Sequence, residues 1–242
     1  MHSFGDTHVG QKRSINQDYI FFSDEPVGNL KNLYIVADGM GGHRAGDKAS
    51  SFAVEEFVEG IKKSAKDHPL LLMRETIEQV NENLYQLASS TPEYNGMGTT
   101  FVAATILDQI IYIMNIGDSR LYGLSEKIKQ ITLDHSLVEE LVRSGQLTKE
   151  EAKNHPQKNV ITRALGVDGK IKADFFEVDL SEVESILLCS DGLTNMVNDK
   201  TIEYVLKNAK TLEKAVEVLI SLANDNGGHD NISVVIVKKE ER

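Results

Sequence analysis

The chain has 242 residues, 40% hydrophobic and 26% charged, enough for one large domain or two small ones around a substantial core. Its net charge of −11 excludes a general electrostatic attraction for nucleic acid or anionic membranes. A single cysteine, Cys189, excludes an intramolecular disulfide.

The N-terminal stretch MHSFGDTHVG lacks the apolar core of a signal peptide. No run reaches the ~20 apolar residues of a membrane helix. The sequence therefore points to a cytoplasmic protein without a membrane segment. After an apolar run ending at Asp38, residues 45–66 place Ala49, Phe52, Ala53, Phe57, Val58 and Ile61 at helical spacing. Residues 70–88 repeat the pattern with Leu72, Ile77, Val80, Leu84 and Leu87, and His68-Pro69 separates the two helices.

Strands are expected at about 99–107, 110–116, 120–124 and 128–131, joined by turns at Asp108-Gln109 and Gly117-Asp118-Ser119. Such short connections imply antiparallel pairing. Residues 135–155 are polar and helical, suited to a lid. Strands return at 173–179 and 184–190, a helix covers 211–225, and a last strand covers 231–238. Cys189 sits inside the apolar run ILLCS and reads as a small core residue. Helices grouped apart from consecutive strands predict a layered α+β fold. No break suggests a boundary, so residues 1–242 read as a single domain.

Asp38, Asp118, Asp191 and Asp230 each stand where a strand-length apolar run meets a turn or polar break. A carboxylate there is costly unless it is paired or binds metal, and no matching set of strand-end Lys or Arg occurs. Any one of the four could be a turn former; together they point to a divalent metal cluster. After Asp38, the turn Gly39-Met40-Gly41-Gly42 could offer the Gly39 carbonyl beside the carboxylate, or could be a tight turn with an Asx hydrogen bond. No GK[ST] follows, which excludes a P-loop. Zinc is disfavoured, because paired Cys and suitably spaced His are lacking. Oxygen ligands favour Mg²⁺ or Mn²⁺. In the N-terminal segment GQKRSINQD, Arg13 could hold a phosphate through its fork or salt-bridge a surface acid, near the further carboxylate Asp18. The histidines, His43 among them, lie mostly in polar or turn segments, and GxSxG is absent, which argues against a Ser-His-Asp triad.

In order, VGQKRSINQD, VADGMGGHRAG, GMGTT, IGDSRLY, TLDHS, ITRALG, LLCSDGL and GGHDNISVVIV resemble the motifs of metal-dependent type-2C protein serine/threonine phosphatases, the bacterial stand-alone members above all. The resemblance spans about residues 5–237. It implies a four-layer α/β/β/α sandwich with two central antiparallel β-sheets flanked by helices. It implies that Asp38 bridges two metals with the Gly39 carbonyl beside it. Asp191 and Asp230 would complete one metal, Asp18 would lie near the second, and Asp118 would hold a third. Arg13 would bind phosphate, and residues 136–160 would form a flap. Where many relatives carry Glu, Asp and His, this chain has Gln17, His8 and Met40. The expected reaction is hydrolysis of phosphoserine and phosphothreonine by a hydroxide bridging two Mn²⁺ or Mg²⁺ ions. The expected partners are phosphorylated proteins, a Ser/Thr kinase and its substrates. A phosphatase-like module that binds phosphoproteins without turnover is the alternative. A two-metal nuclease conflicts with the negative charge.

Overall fold

Alternate side chains along residues 33–37 are buried on both faces of one strand, so that strand must be covered from both sides. In the computed structural model, which describes residues 1–42 and 45–239, it is the third of eleven strands. The chain runs β1 (His2–His8), β2 (Asp18–Ser23), β3 (Leu33–Met40), α1 (Ala45–Lys63), α2 (Pro69–Ser90), β4 (Gly98–Thr99), β5 (Phe101–Leu107), β6 (Ile110–Ile116), β7 (Arg120–Leu124) and β8 (Ile128–Gln130). It continues with α3 (Leu137–Arg143), α4 (Lys149–Lys153), β9 (Asp174–Asp179), β10 (Ser185–Cys189), α5 (Asp191–Thr194), α6 (Asp199–Asn208), α7 (Leu212–Asp225) and β11 (Ile232–Lys238).

Two antiparallel sheets result, ordered β1-β11-β10-β7-β8 and β2-β3-β5-β6-β9, with β4 paired to the far end of β3. Tyr34, Val36, Val102, Ala104 and Ile113 of the second sheet pack against Leu121, Ile186, Leu188, Val235 and Val237 of the first. The opposite parity of β3, Leu33, Ile35 and Ala37, meets Ala49, Ala53 and Phe57 of α1 and Leu72, Ile77 and Leu84 of α2. Leu187, Cys189, Val234 and Ile236 likewise meet Ile202 and Val205 of α6 and Val216 and Leu219 of α7. The expected four-layer sandwich is present, and its period-2 alternation is what separates the three apolar layers.

Several local expectations hold. Asp108 and Gln109, with φ of 49° and 69°, form the tight turn between β5 and β6. Pro69 opens α2, where its missing N–H has no helical partner to lose. Cys189 is fully buried in the layer beneath α6 and α7.

Four expectations need correction. Residues 117–119 do not close a hairpin: β6 belongs to one sheet and β7 to the other, so this turn carries the chain across the sandwich. The strand expected at 99–107 breaks at Thr100, whose hydroxyl accepts the Asp38 N–H at 2.9 Å. Asp38 is not at a strand end, because β3 runs on to Met40 through its pairing with β4. The polar helix expected over 135–155 is two short helices, α3 and α4, without buried residues. β1, β2, α5 and α6 were not anticipated; β1 is an edge strand of polar and small residues, a weak signal in sequence.

Phe101 is fully buried and tilts against Phe57 with ring centroids 5.0 Å apart, tying β5 to α1. Phe101→Ala is expected to cost about 3–5 kcal/mol of unfolding free energy in urea, by lost transfer energy plus the cavity. A loss below about 1 kcal/mol would contradict this packing.

Candidate metal centre

Asp18 and Asp38 stand directly opposite one another on β2 and β3. The Gly39 N–H donates to the Gln17 carbonyl at 3.0 Å, so the ladder bond falls on that neighbouring pair. Asp18 and Asp38 thus occupy the unbonded position, where side chains approach more closely. Like charges placed this way are destabilising. Both residues share the parity of Ile20, Tyr34 and Val36, so their side chains enter the layer between the sheets at its rim.

The other sheet supplies the surroundings of Asp18. Ser190, at the end of β10, and Ser233, in β11, each donate a hydroxyl hydrogen bond of 2.7 Å to Asp18 Oδ2. Asp18 Oδ1 is buried without a hydrogen-bond partner, and so is Asp191 Oδ1. Asp191 opens α5, and its Oδ2 accepts from Asn195 Nδ2 at 2.9 Å. A Cβ on Gly192 would fall 1.9 Å from the Asn231 carbonyl oxygen, so only glycine lets α5 approach the start of β11 this closely. That approach brings Asp191 near Asp230.

Asn231 fixes the N-terminal loop to the same rim. Its Nδ2 donates to the Val9 and Ile15 carbonyls at 2.8 and 3.0 Å, and its Oδ1 accepts the Gln17 N–H at 2.8 Å. The loop presents Arg13, whose guanidinium donates to Asp230 Oδ2 at 2.8 Å with half of its side chain exposed. The surface-acid reading of Arg13 and its phosphate reading thus meet in one place, since the acid it pairs with is itself a candidate ligand. Asp118 arrives on the sheet-to-sheet crossover.

Arg13, Asp38, Gly39, Asp118, Asp191 and Asp230 line one cleft of about 260 Å³, with Asn159 and Ile161 from beyond α4 on its wall. Gln17 and Met40 also line it, while His8 lies outside, its Nδ1 accepting the Gly10 N–H at 2.9 Å. Asp18 is buried behind the cleft. His43 lies outside the described residues. The sequence reading missed Asn231, Ser190, Ser233 and Thr100, because small polar residues beside strands carry no distinctive pattern.

The charges conflict strongly. Burial raises Asp18 to about 7, more than its serine hydrogen bonds can offset, and Asp191 and Asp230 push the same way. Burial and Asp18 together raise Asp38 well above the ordinary carboxylate range. Burial raises Asp118 to about 7, with Asp191 and Asp134 adding to it and Arg120 opposing. Asp191 rises to about 6 through burial and Asp230. Among the described residues, no three His, Cys, Asp or Glu side chains close around one point as a ready-made cage. Orphaned buried carboxylate oxygens, mutual repulsion and an all-oxygen donor set fit hard divalent cations.

A model of the protein phosphatase 2C family matches residues 4–232. The serine/threonine phosphatase stp of Listeria monocytogenes is 46% identical over 213 residues, 86% of this chain and 84% of that protein. Protein phosphatase PhpP of Streptococcus pneumoniae is 42% identical over 241 residues, covering 97% and 96% of the two chains. The crystal structure of serine/threonine phosphatase Stp1 from Staphylococcus aureus superposes with a TM-score of 0.92 at 37% identity, covering 99% of this chain and 95% of that one. The serine/threonine phosphatase PstP/Ppp of Mycobacterium tuberculosis gives 0.89 at 30% identity, covering 99% of each chain.

The raised carboxylates have a consequence for stability. Asp18 goes from an ordinary 3.8 to about 7 on folding, so the native state holds its proton more tightly than the unfolded chain does. Its contribution is intact below about pH 4 and is lost as pH rises toward 7. Without divalent cations, Asp18→Asn is therefore expected to match the wild type near pH 4 and exceed it in urea midpoint at pH 8. Parallel pH profiles for the two proteins would contradict the assignment.

Proposed function

The chain belongs to the protein phosphatase 2C family and is a protein serine/threonine phosphatase, and from that premise we propose how its cleft performs the hydrolysis. The family depends on Mn²⁺ or Mg²⁺. Bound divalent cations supply Lewis acidity toward phosphoryl oxygens and a water acidic enough to act as nucleophile near neutral pH. Asp38, the Gly39 carbonyl, Asp191 and Asp230 would hold the two ions, with the buried Asp18 supporting them. Asp118 would hold a third.

The protein's own groups do the rest. Arg13 sits at the lip of the cleft, where its planar fork can take two oxygens of a phosphate dianion. Its pairing with Asp230 orients the guanidinium toward the acidic centre. Asn231, by holding Val9, Ile15 and Gln17, keeps the Arg13 loop in register with that centre. Thr100 anchors the backbone of Asp38. A cysteine nucleophile is ruled out: Cys189 is fully buried and its thiol is pushed up to about 12 by that burial.

The observation that carries this reading is the convergence of Asp38, Asp118, Asp191 and Asp230 on one cleft with Arg13 at its edge. Residues 136–160, with no buried position in α3 or α4, act as a flap that carries Asn159 to the cleft wall. In a single domain spanning residues 1–242, both sheets contribute to the centre. The substrates are phosphoserine and phosphothreonine proteins, and the enzyme opposes a Ser/Thr kinase. None of the described helices is long and apolar enough to cross a membrane.

Turnover of a phosphothreonine peptide tests this. It should require Mn²⁺ or Mg²⁺, stop with EDTA and return with added metal. Asp38→Asn should lower kcat about 1,000-fold, corresponding to several kcal/mol of lost charge stabilisation, while the protein stays folded. Activity in fully chelated protein, or half the wild-type kcat in Asp38→Asn, would overturn the mechanism.

A further inference from the structure

A second cluster of titratable side chains, His135 with the half-buried Asp174 and Arg163, lies beside the cleft, and the mechanism above does not use it. His135 is only 4% exposed and directly precedes Ser136, the N-cap of α3. It grips Gly117 twice. The Gly117 N–H donates to His135 Nδ1 at 3.1 Å, and the His135 N–H donates to the Gly117 carbonyl at 3.0 Å. Asn115 Nδ2 donates to the same carbonyl at 3.2 Å. The other ring nitrogen, Nε2, faces Asp174 Oδ2 at 3.2 Å, and Arg163 donates to Asp174 Oδ1 at 3.0 Å.

These contacts fix the tautomer. An Nδ1 that accepts from a backbone N–H cannot carry a proton, so the proton of the neutral ring is on Nε2, where Asp174 accepts it. Arg163 also lies 3.1 Å from Nε2, but two donors cannot bond each other, so its role is to hold Asp174.

Gly117 is held hard on its other side too. Its φ is +98°, and a Cβ there would fall 2.6 Å from Thr100 Cγ2. Thr100 in turn accepts the Asp38 N–H and shares a 2.7 Å hydrogen bond with the Ser119 hydroxyl. Asp118 lies between Gly117 and Ser119. Its place in the cleft is set through the backbone on either side.

We propose that His135, oriented by Asp174, is a positioning residue for Asp118: the Asp174 carboxylate accepts the Nε2–H and sets the ring's orientation, Nδ1 holds Gly117, and Gly117 aims the Asp118 carboxylate into the cleft. This rests on the reading of Asp118 as part of the catalytic centre. An isolated buried histidine is most often only a satisfied core residue. Here the ring Nδ1 and the backbone N–H both fall on the residue before a cleft carboxylate, on a tight segment that crosses between the sheets.

Two substitutions separate the ring's two nitrogens. His135→Asn can place an amide oxygen near the Nδ1 position and keep an acceptor for Gly117. His135→Gln keeps a donor for Asp174 and loses that acceptor. In metal-free protein, ¹⁵N NMR should show the wild-type ring as the Nε2–H tautomer and the Gly117 amide protected from exchange. Protection should fall in His135→Gln and persist in His135→Asn. With Mn²⁺ and a phosphothreonine peptide, His135→Gln should lower kcat about 2- to 12-fold, the span of one net hydrogen bond, with KM unchanged. His135→Asn should recover most of it.

On an Asp118→Ala background the effect of His135→Gln should vanish, because its route of action is gone. An equal fall on both backgrounds, or a Gly117 amide as protected in His135→Gln as in the wild type, would overturn the proposal. Wild-type turnover by Asp118→Ala would instead overturn the catalytic reading of Asp118 itself. If His135→Gln does not fold, Asp174→Ala, which removes the acceptor for Nε2–H, carries the same test: unchanged Gly117 protection in that variant would overturn the orienting role.

Discussion

The mutual repulsion of carboxylates at one rim of the sandwich is the constraint on which the rest of the structure depends. Asp18 and Asp38 face each other across adjacent strands, and Asp118, Asp191 and Asp230 press in from three other segments. Burial and this crowding raise Asp18, Asp38, Asp118 and Asp191 together, all in the direction of protonation. Among the described residues the cations nearby are too few to relieve it: Arg13 is half exposed and pairs with Asp230, while Arg120 is committed to Asp134. Divalent cations bound among these carboxylates would turn the same repulsion into binding energy.

The fold delivers this arrangement by parity. Residues 18, 34, 36 and 38 of one sheet and 186, 188, 190, 233, 235 and 237 of the other share the layer between the sheets. Along most of that layer they are apolar. At the rim they become Asp18, Asp38, Ser190 and Ser233, so the apolar core passes directly into the acidic rim of the cleft. A one-residue slip in β2 or β3 would move its carboxylate to the face beneath α1 and α2. The apolar layers therefore do more than stabilise the protein, since their packing fixes the register that sets the carboxylates opposite one another.

Much of this was legible in the sequence. Asp38, Asp118, Asp191 and Asp230 are visible as charges that interrupt β-branched apolar runs, an arrangement that needs a cation to explain it. Asp18 and Arg13 were legible through the order of motifs, since their own segment has only weak strand character. Other features were hidden for physical reasons. Turn chemistry at residues 117–119 shows that the chain reverses but not which sheet it joins next, so the crossover that carries Asp118 read as a hairpin. Ser190 and Ser233 are ordinary strand residues until the two sheets stack and aim both hydroxyls at Asp18. Asn231 and His135 act through backbone groups distant in sequence, and no local pattern marks such contacts.

Proton release on metal binding tests the central claim most directly. Carboxylates held at about 6 to 7 are partly protonated at pH 6, and a divalent cation must displace those protons. Mn²⁺ is titrated calorimetrically into metal-free protein at pH 6 and pH 8, in pairs of buffers with different ionisation enthalpies. The structure predicts net proton release at pH 6, much less at pH 8, and a smaller release for Asp18→Asn. Binding heats that are independent of the buffer at pH 6, or no Mn²⁺ binding at either pH, would contradict it.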